Sequence, residues 1–283
     1  MERYVIHVTK NCNMNCGYCY EKDKSSGNVP WGTTKELLDD ILKTNSTFSI
    51  EFLGGEPLLN FSLIEQCVNY LRNIISVNYY ITTNGTILSD KIIRFLKENE
   101  NVTFAISMDG TRFANSLRVF KNGTNSFDVV VKNIKILLGR GFTNRLLVHI
   151  VLHPYNVAYF SESVNFLYSL GVRHIDPGIV ENTMLCTQEF QDTFISQHQT
   201  VSKRIYMGKY PGLKVTTLNY PPLDDKRVYI SNEQDIVIGE SYGRAKKDFT
   251  QGNKYQINQN LEGLRIPTCL KTTVYENHKR RVF

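Results

Sequence analysis

Apolar runs alternate with segments of helical period from the N-terminus to about residue 180. Tyr4–Thr9, Ser49–Leu53, Asn78–Thr83, Val102–Ser107, Leu146–Leu152 and Val172–Asp176 read as strands, each short and rich in β-branched or aromatic residues. Helices fall between them. One starts near Thr33, where Thr33-Thr34-Lys35-Glu36 offers a cap followed three positions later by a Glu. A second puts Leu63, Ile64, Cys67, Val68 and Leu71 on one face, and a third carries Ile92, Ile93 and Phe95. Phe127–Gly139 and a stretch from about Val157 to Leu170 complete the set. Tandem βα units at a spacing of roughly 30 residues predict a parallel sheet with right-handed crossovers. The fold class expected is α/β, a partial (β/α)6 barrel with functional groups at the C-terminal ends of its strands.

The pattern changes after about residue 185. A polar helical stretch, Gln188–Met207, leads into a section bearing Pro and Gly, then short alternating runs such as Val228–Ile230 and Ile236–Ile238. We therefore divide the chain into a barrel domain, residues 1–185, and a small C-terminal α+β appendage, residues 186–283. No tandem repeat or low-complexity tract is present.

Composition narrows the class. With 283 residues, 41% hydrophobic and 11% aromatic, the chain is that of an ordinary folded protein. No apolar run approaches the ~20 residues of a membrane span, and MERYVIHVTKNC lacks the features of a secretory leader, so a cytoplasmic, membrane-free protein is expected. The net charge of +6 is mild, and it falls short of the basic stripe that nucleic-acid binding requires. The one dense run, His278-Lys279-Arg280-Arg281, reads as a solvated tail.

The six cysteines say more. Cys12, Cys16 and Cys19 lie within eight residues, whereas Cys67, Cys186 and Cys269 are scattered. In a reducing compartment such a cluster points to metal binding or catalysis. Three thiolates on one loop can hold three corners of an iron–sulfur cluster and leave the fourth metal open for a substrate. Zinc is the alternative, but it normally takes a second CxxC pair, and none exists here. Cys67 falls on the apolar stripe of its helix and belongs to the core. His149 and His153 flank the fifth strand and read as structural histidines, one of which could line the barrel.

The loop Cys12-Asn-Met-Asn-Cys16-Gly-Tyr-Cys19, directly after the first strand, resembles the radical S-adenosylmethionine (SAM) superfamily. Gly54-Gly55-Glu56-Pro57 at the end of the second strand is similar to that family's GGEP motif; glycines permit close backbone approach, and carbonyls with a carboxylate can hold an α-amino group. Ser107-Met-Asp109-Gly110 resembles its ribose-contacting segment. Thr83-Asn84-Gly85, Arg118 and Ser126-Phe127 match the SPASM/twitch-type peptide-modifying subfamily, which places an Arg on the SAM carboxylate. Tyr18 is expected near the adenine, or as a loop-packing aromatic. The resemblance implies a [4Fe–4S] cluster on Cys12, Cys16 and Cys19, SAM as cofactor, and Tyr18, Gly54, Gly55, Glu56, Asn84, Ser107, Asp109 and Arg118 as its binding residues. It also implies a 5′-deoxyadenosyl radical that takes a substrate hydrogen, and an external one-electron reductant of flavodoxin or ferredoxin type.

The tail departs from the family pattern. Tyr229 to Asn253, with Asp235-Ile236-Val237 and Gly252-Asn253, looks like the backbone of a SPASM or twitch module, but Gly239 and Glu240 lie near where its first cysteine would fall. Cys186 and Cys269 are too few for a second four-thiolate cluster, so the appendage reads as degenerate and substrate-binding. Without an auxiliary electron acceptor, a redox-neutral outcome such as epimerisation is favoured over a net oxidation. Cys186 is then the candidate catalytic hydrogen donor, against the commoner role of an inert packed thiol. The substrate expected is a peptide, which could bind through a leader segment by strand addition. The alternatives are a sulfatase-maturase-like or small-molecule radical SAM enzyme and, from another class, a non-catalytic zinc- or cluster-stabilised binding module.

Overall fold

A computed structural model describes residues 2–21, 24, 27–44, 47–74, 76–180, 187–216, 226–230 and 236–240. The chain forms two compact units, Met1–Asn13, Glu21–Ala105 and Asp224–Leu264 in the first, and Met14–Tyr20, Ile106–Leu223 and Arg265–Phe283 in the second.

In the first unit β1 (Glu2–Thr9), α1 (Trp31–Thr44), β2 (Phe48–Gly54), α2 (Phe61–Leu71), β3 (Asn78–Thr83) and α3 (Asp90–Glu98) follow in order. β1 and β2 pair in parallel from Glu2↔Phe48 to His7↔Leu53, and β2 pairs with β3 from Ser49↔Asn78. Side chains of β2 are buried from Phe48 to Leu53, as expected of a strand covered on both faces. Ile6, Ile50, Phe52, Ile64 and Tyr79 are among its fully buried side chains, each contributing roughly 1.5–3 kcal/mol by burial. The helix α2 turns the expected stripe, Leu63, Ile64, Cys67, Val68 and Leu71, inward.

The helix α1 starts at Trp31, two residues before the capping threonine expected from the sequence. The Thr34 amide and hydroxyl both donate to the Pro30 carbonyl, at 3.1 and 3.0 Å. Thr34 therefore satisfies the first turn from inside, and no capping box forms. The late strand β8 (Lys226–Ile230) pairs in parallel with β1, Arg3↔Arg227 to Ile6↔Ile230, and β9 (Ile236–Glu240) runs antiparallel to β8.

β4 (Val102–Ser107) ends in the second unit, which continues through α4 (Phe127–Gly139), β5 (Leu146–Leu152), α5 (Phe160–Leu170), β6 (His174–Ile179), α6 (Gln188–Tyr206) and β7 (Lys214–Val215). Strands β5, β6 and β7 pair in parallel. Leu146, Val148, Ile150 and Leu152 are buried, and Leu147, His149 and Val151 are half-buried, which assigns His149 to the more open face of β5.

The sixth strand begins two residues later than its apolar pattern predicts. Gly171 is left-handed (φ 105°) and caps α5, and the Val172 amide returns to the Leu167 carbonyl at 3.1 Å. Val172 thus closes the helix. The strand instead runs on through Pro177 and Gly178. Because the Val180 amide bonds to the Leu152 carbonyl, even-numbered amides of β6 face β5. The Pro177 nitrogen therefore faces the β7 side, beyond the last pair Ile175↔Val215, where no ladder bond is lost. Among the described residues no helix is long and apolar enough to cross a membrane.

Candidate functional site

The first unit holds the ends of β1, β2 and β3. Leaving β1, the chain runs directly over Gly54 and Gly55: the Gly55 amide donates to Thr9 O at 2.8 Å and the Glu56 amide to Asn11 O at 2.7 Å. A Cβ on Gly54 would collide with the Thr9 carbonyl, and one on Gly55 with the carbonyls of Lys10 and Asn11. The two glycines thus let the backbone leading to Cys12 lie against the GGEP turn.

Glu56 is wholly buried. Its Oε1 accepts from the Thr83 hydroxyl at 2.6 Å and the Leu58 amide at 3.2 Å, and Oε2 accepts from the Asn84 amide at 2.7 Å. Burial pushes this carboxyl up to about 7, against the opposing pull of those three donors. Asn84 Nδ2 donates to Asn13 Oδ1 at 2.8 Å and stands 3.9 Å from Cys12 Sγ. Asn13 Nδ2 donates to the Thr86 hydroxyl at 2.8 Å, and that hydroxyl donates to Asn84 Oδ1 at 2.7 Å. Cys12 therefore sits beside a closed Asn13–Asn84–Thr86 network.

The second unit holds Cys16, Tyr18 and Cys19. Asn15 and Gly17 donate backbone bonds to Val119 and Leu117, at 2.8 and 2.9 Å, and Cys19 N–H turns back to Cys16 O at 3.1 Å. Cys16 and Cys19 are half-buried, and none of Cys12, Cys16, Cys19 and Cys67 forms a disulfide. The Tyr18 hydroxyl donates to Asp109 Oδ2, and its ring stacks on His153 at 6.0 Å. Burial raises the Tyr18 hydroxyl well above its usual range.

Asp109 is a hub within the second unit. Oδ1 takes Arg118 Nη2 at 3.0 Å and the Val151 amide at 3.0 Å, and the Asp109 amide donates to Asn115 Oδ1 at 3.1 Å. Burial alone would lower the Arg118 guanidinium, but the charges of Asp109, Tyr18 and Cys16 outweigh it, and the net shift is upward. Its Nε is buried with no hydrogen-bond partner among the described residues. Ser107 is half-buried at the end of β4. Ser126 pins the segment after Arg118, its hydroxyl donating to Arg118 O at 2.9 Å.

Some positions escaped the sequence reading. Asn13, Thr86 and Asn115 hold the arrangement, and Asn13 lies inside the cysteine motif itself. Cys186 and Cys269 lie outside the described residues, as does most of Tyr229–Asn253. Among the described residues no three His, Cys, Asp or Glu side chains already surround a metal position. The donor set still fits the expected group. Three thiols on one anchored loop could hold three corners of a cluster, and the buried, unpartnered Arg118 Nε is a donor suited to a carboxylate.

Residues 6–167 match the family model described as the radical SAM superfamily. The chain is 30% identical over 246 residues to an uncharacterized protein of Methanocaldococcus jannaschii, covering 86% of this chain and 83% of that one. It is 30% identical over 189 residues to the radical SAM cyclopropyl synthase TigE of Paramaledivibacter caminithermalis, 59% of this chain and 39% of TigE. It is 34% identical over 146 residues to the cysteine-type anaerobic sulfatase-maturating enzyme of Clostridium novyi, 46% of this chain and 38% of that enzyme. The aligned regions thus span only about two-fifths of the length of these two enzymes.

Among solved structures, native anSMEcpe with bound AdoMet and Cp18Cys peptide superposes with a TM-score of 0.72 at 15% identity, over 85% of this chain and 74% of that one. Streptococcus suis SuiB bound to precursor peptide SuiA gives 0.65 at 15% identity, over 83% and 58%. These likenesses concern the fold, an α/β partial barrel.

The chain belongs to the radical SAM superfamily, and it is an enzyme whose cofactors are a [4Fe–4S] cluster and SAM. That membership decides against the non-catalytic zinc module.

Proposed function

We propose that this enzyme modifies a peptide by hydrogen abstraction and ends in a redox-neutral product, epimerisation being the simplest. When bound, the cluster and SAM supply a 5′-deoxyadenosyl radical on one-electron reduction. Cys12, Cys16 and Cys19 hold the cluster. Gly54, Gly55, Glu56 and Asn84 in the first unit, with Tyr18, Ser107, Asp109 and Arg118 in the second, serve SAM. Residues 186–283 form the degenerate, substrate-binding appendage.

The observation that carries the peptide reading is that two solved proteins sharing this fold, anSMEcpe and SuiB, hold peptides. The redox-neutral outcome rests on the cysteine count: beyond the loop and core Cys67, only Cys186 and Cys269 remain. In the step proposed, the Cys186 S–H bond breaks and its hydrogen atom goes to the substrate carbon. The sulfur radical is then reset by an electron from the flavodoxin- or ferredoxin-type reductant and a proton from solvent. The similarity to a sulfatase-maturating enzyme supports a second reading, a sulfatase-maturase-like oxidation of the peptide in which the 5′-deoxyadenosyl radical takes one hydrogen atom and the second electron passes to an external flavodoxin- or ferredoxin-type acceptor with its proton lost to solvent.

Reaction in D2O with peptides encoded beside the gene separates the two. The proposed outcome adds one deuterium at an inverted carbon, and the oxidation removes two hydrogens. Cys186→Ala should cleave SAM yet fail to complete the labelled product, and an unchanged product would reject the donor role.

A further inference from the structure

A polar row in the second unit is used neither by the cysteine loop nor by the Asp109–Arg118 pair. His149 in β5 is in register with Asp176 in β6, and its Nδ1 lies 3.1 Å from Asp176 Oδ2. On the far side, the Ile175↔Val215 pair brings Thr216 next to Asp176, and its hydroxyl donates to Asp176 Oδ1. On the near side the Met108 amide donates to the His149 carbonyl at 2.9 Å. In a parallel ladder that bond sets Ser107 beside His149, on the same face. Ser107, His149, Asp176 and Thr216 therefore form one row across neighbouring strands, on the face opposite buried Val148 and Ile150.

The row fixes the imidazole. In a neutral imidazole one ring nitrogen donates and the other accepts; with Nδ1 donating to the Asp176 carboxylate, Nε2 is the acceptor. Nε2 has no partner among the described residues, and 19% of the side chain stays exposed. The ring leans over Gly178, where a Cβ would stand 3.0 Å from His149 Cε1; glycine there leaves the ring its place. Two residues along β5, the Val151 amide holds Asp109. An imidazole held in orientation at one nitrogen and open at the other, beside the Ser107–Asp109 segment, is arranged to receive a ligand.

We infer that His149, oriented by Asp176 and Thr216, is a substrate-recognition residue whose Nε2 accepts a hydrogen bond from an N–H or O–H of the peptide. This rests on the peptide reading above. The bond would fix the peptide alongside the end of β4, where the ribose segment is proposed.

Two substitutions separate recognition from a structural role. His149→Gln places an amide at the reach of Nε2 and gives up the Nδ1 position, whereas His149→Asn keeps the Asp176 bond and has nothing at Nε2. Each reconstituted enzyme, with SAM and without oxygen, is incubated with a random library of synthetic dodecapeptides, and retained peptides are read by mass spectrometry. Iron content and melting temperature verify folding. Wild type and His149→Gln should retain the same peptides, and His149→Asn should retain them about tenfold less. The reverse order, or no difference, overturns the inference while leaving the peptide reading intact. No retention by wild type overturns the peptide reading, and the inference with it. Independently of any variant, carbethoxylation of His149 in wild type by diethyl pyrocarbonate should be blocked by the retained peptides. Undiminished modification overturns the inference.

Discussion

The carboxylate of Glu56 accepts the backbone N–H of Asn84 at 2.7 Å, and this single bond ties the end of β2 to the turn after β3. The same carboxylate is buried and raised to about 7. Unfolded, a Glu side chain titrates near 4.3. Between these values only the folded state holds the proton, so stability falls as pH rises from about 4.3 to about 7 and is flat on either side. The full contribution is about 4 kcal/mol. Urea unfolding of the apoprotein across this range should show the decline, and Glu56→Gln should remove it. An identical slope in both proteins would refute the assignment.

Gly55→Ala should cost the enzyme its cluster. The added methyl collides with the Lys10 and Asn11 carbonyls, backbone atoms that cannot swing aside, so the strand leading to Cys12 must move. Overpacking of this kind typically costs about 1–3 kcal/mol. Iron content after anaerobic reconstitution should drop severalfold. Gly32→Ala in α1, where a Cβ meets nothing within 4 Å, should reconstitute like wild type.

Much of this was legible in the sequence, and the remainder for identifiable reasons. Short runs rich in β-branched and aromatic residues locate β1 to β5, and in β2 the run from Phe48 to Leu53 is buried on both faces. The same signal misplaces the start of the sixth strand because Val172 closes α5, and apolarity does not distinguish a capping residue from a strand residue. The GGEP motif marks its own position, but the close approach of its glycines to the backbone before Cys12 comes from a neighbouring strand end that no local pattern names. The pairing of His149 with Asp176 is not legible because the two lie 27 residues apart on different strands, and only register unites them. The tail was the least legible. Its short runs suggest strands, and β8 in fact pairs with β1, a partner more than 200 residues earlier that no local pattern names.

Cys67 should be chemically silent. Burial pushes its thiol up to about 12, which leaves only about one molecule in ten thousand as thiolate at pH 8. Iodoacetamide applied to the folded apoprotein should label the half-buried Cys16 and Cys19 first and reach Cys67 only after urea unfolding. Early labelling of Cys67 in the folded chain would remove it from the core. Cys67→Ala should keep its iron and lose on the order of 1 kcal/mol of stability.

Arg118 allows the sharpest separation of cofactor binding from folding. Its Nη2 is committed to Asp109 at 3.0 Å, and its buried Nε has no partner among the described residues. Arg118→Lys retains the positive charge beside Asp109 but loses the planar fork, and with it the Nε donor. The variant should fold and take up iron like wild type, yet bind SAM at least about tenfold more weakly, roughly 1.4 kcal/mol, by calorimetry under nitrogen. Arg118→Ala behaves differently, because Asp109 is then left buried without its cation. That change should destabilise the protein by about 3–5 kcal/mol in urea, whether or not SAM is present. Asp109→Asn in the Arg118→Ala background should restore part of the loss, since the uncompensated charge is gone. If Arg118→Lys binds SAM as tightly as wild type, Nε serves the fold alone, and the carboxylate of SAM is held elsewhere.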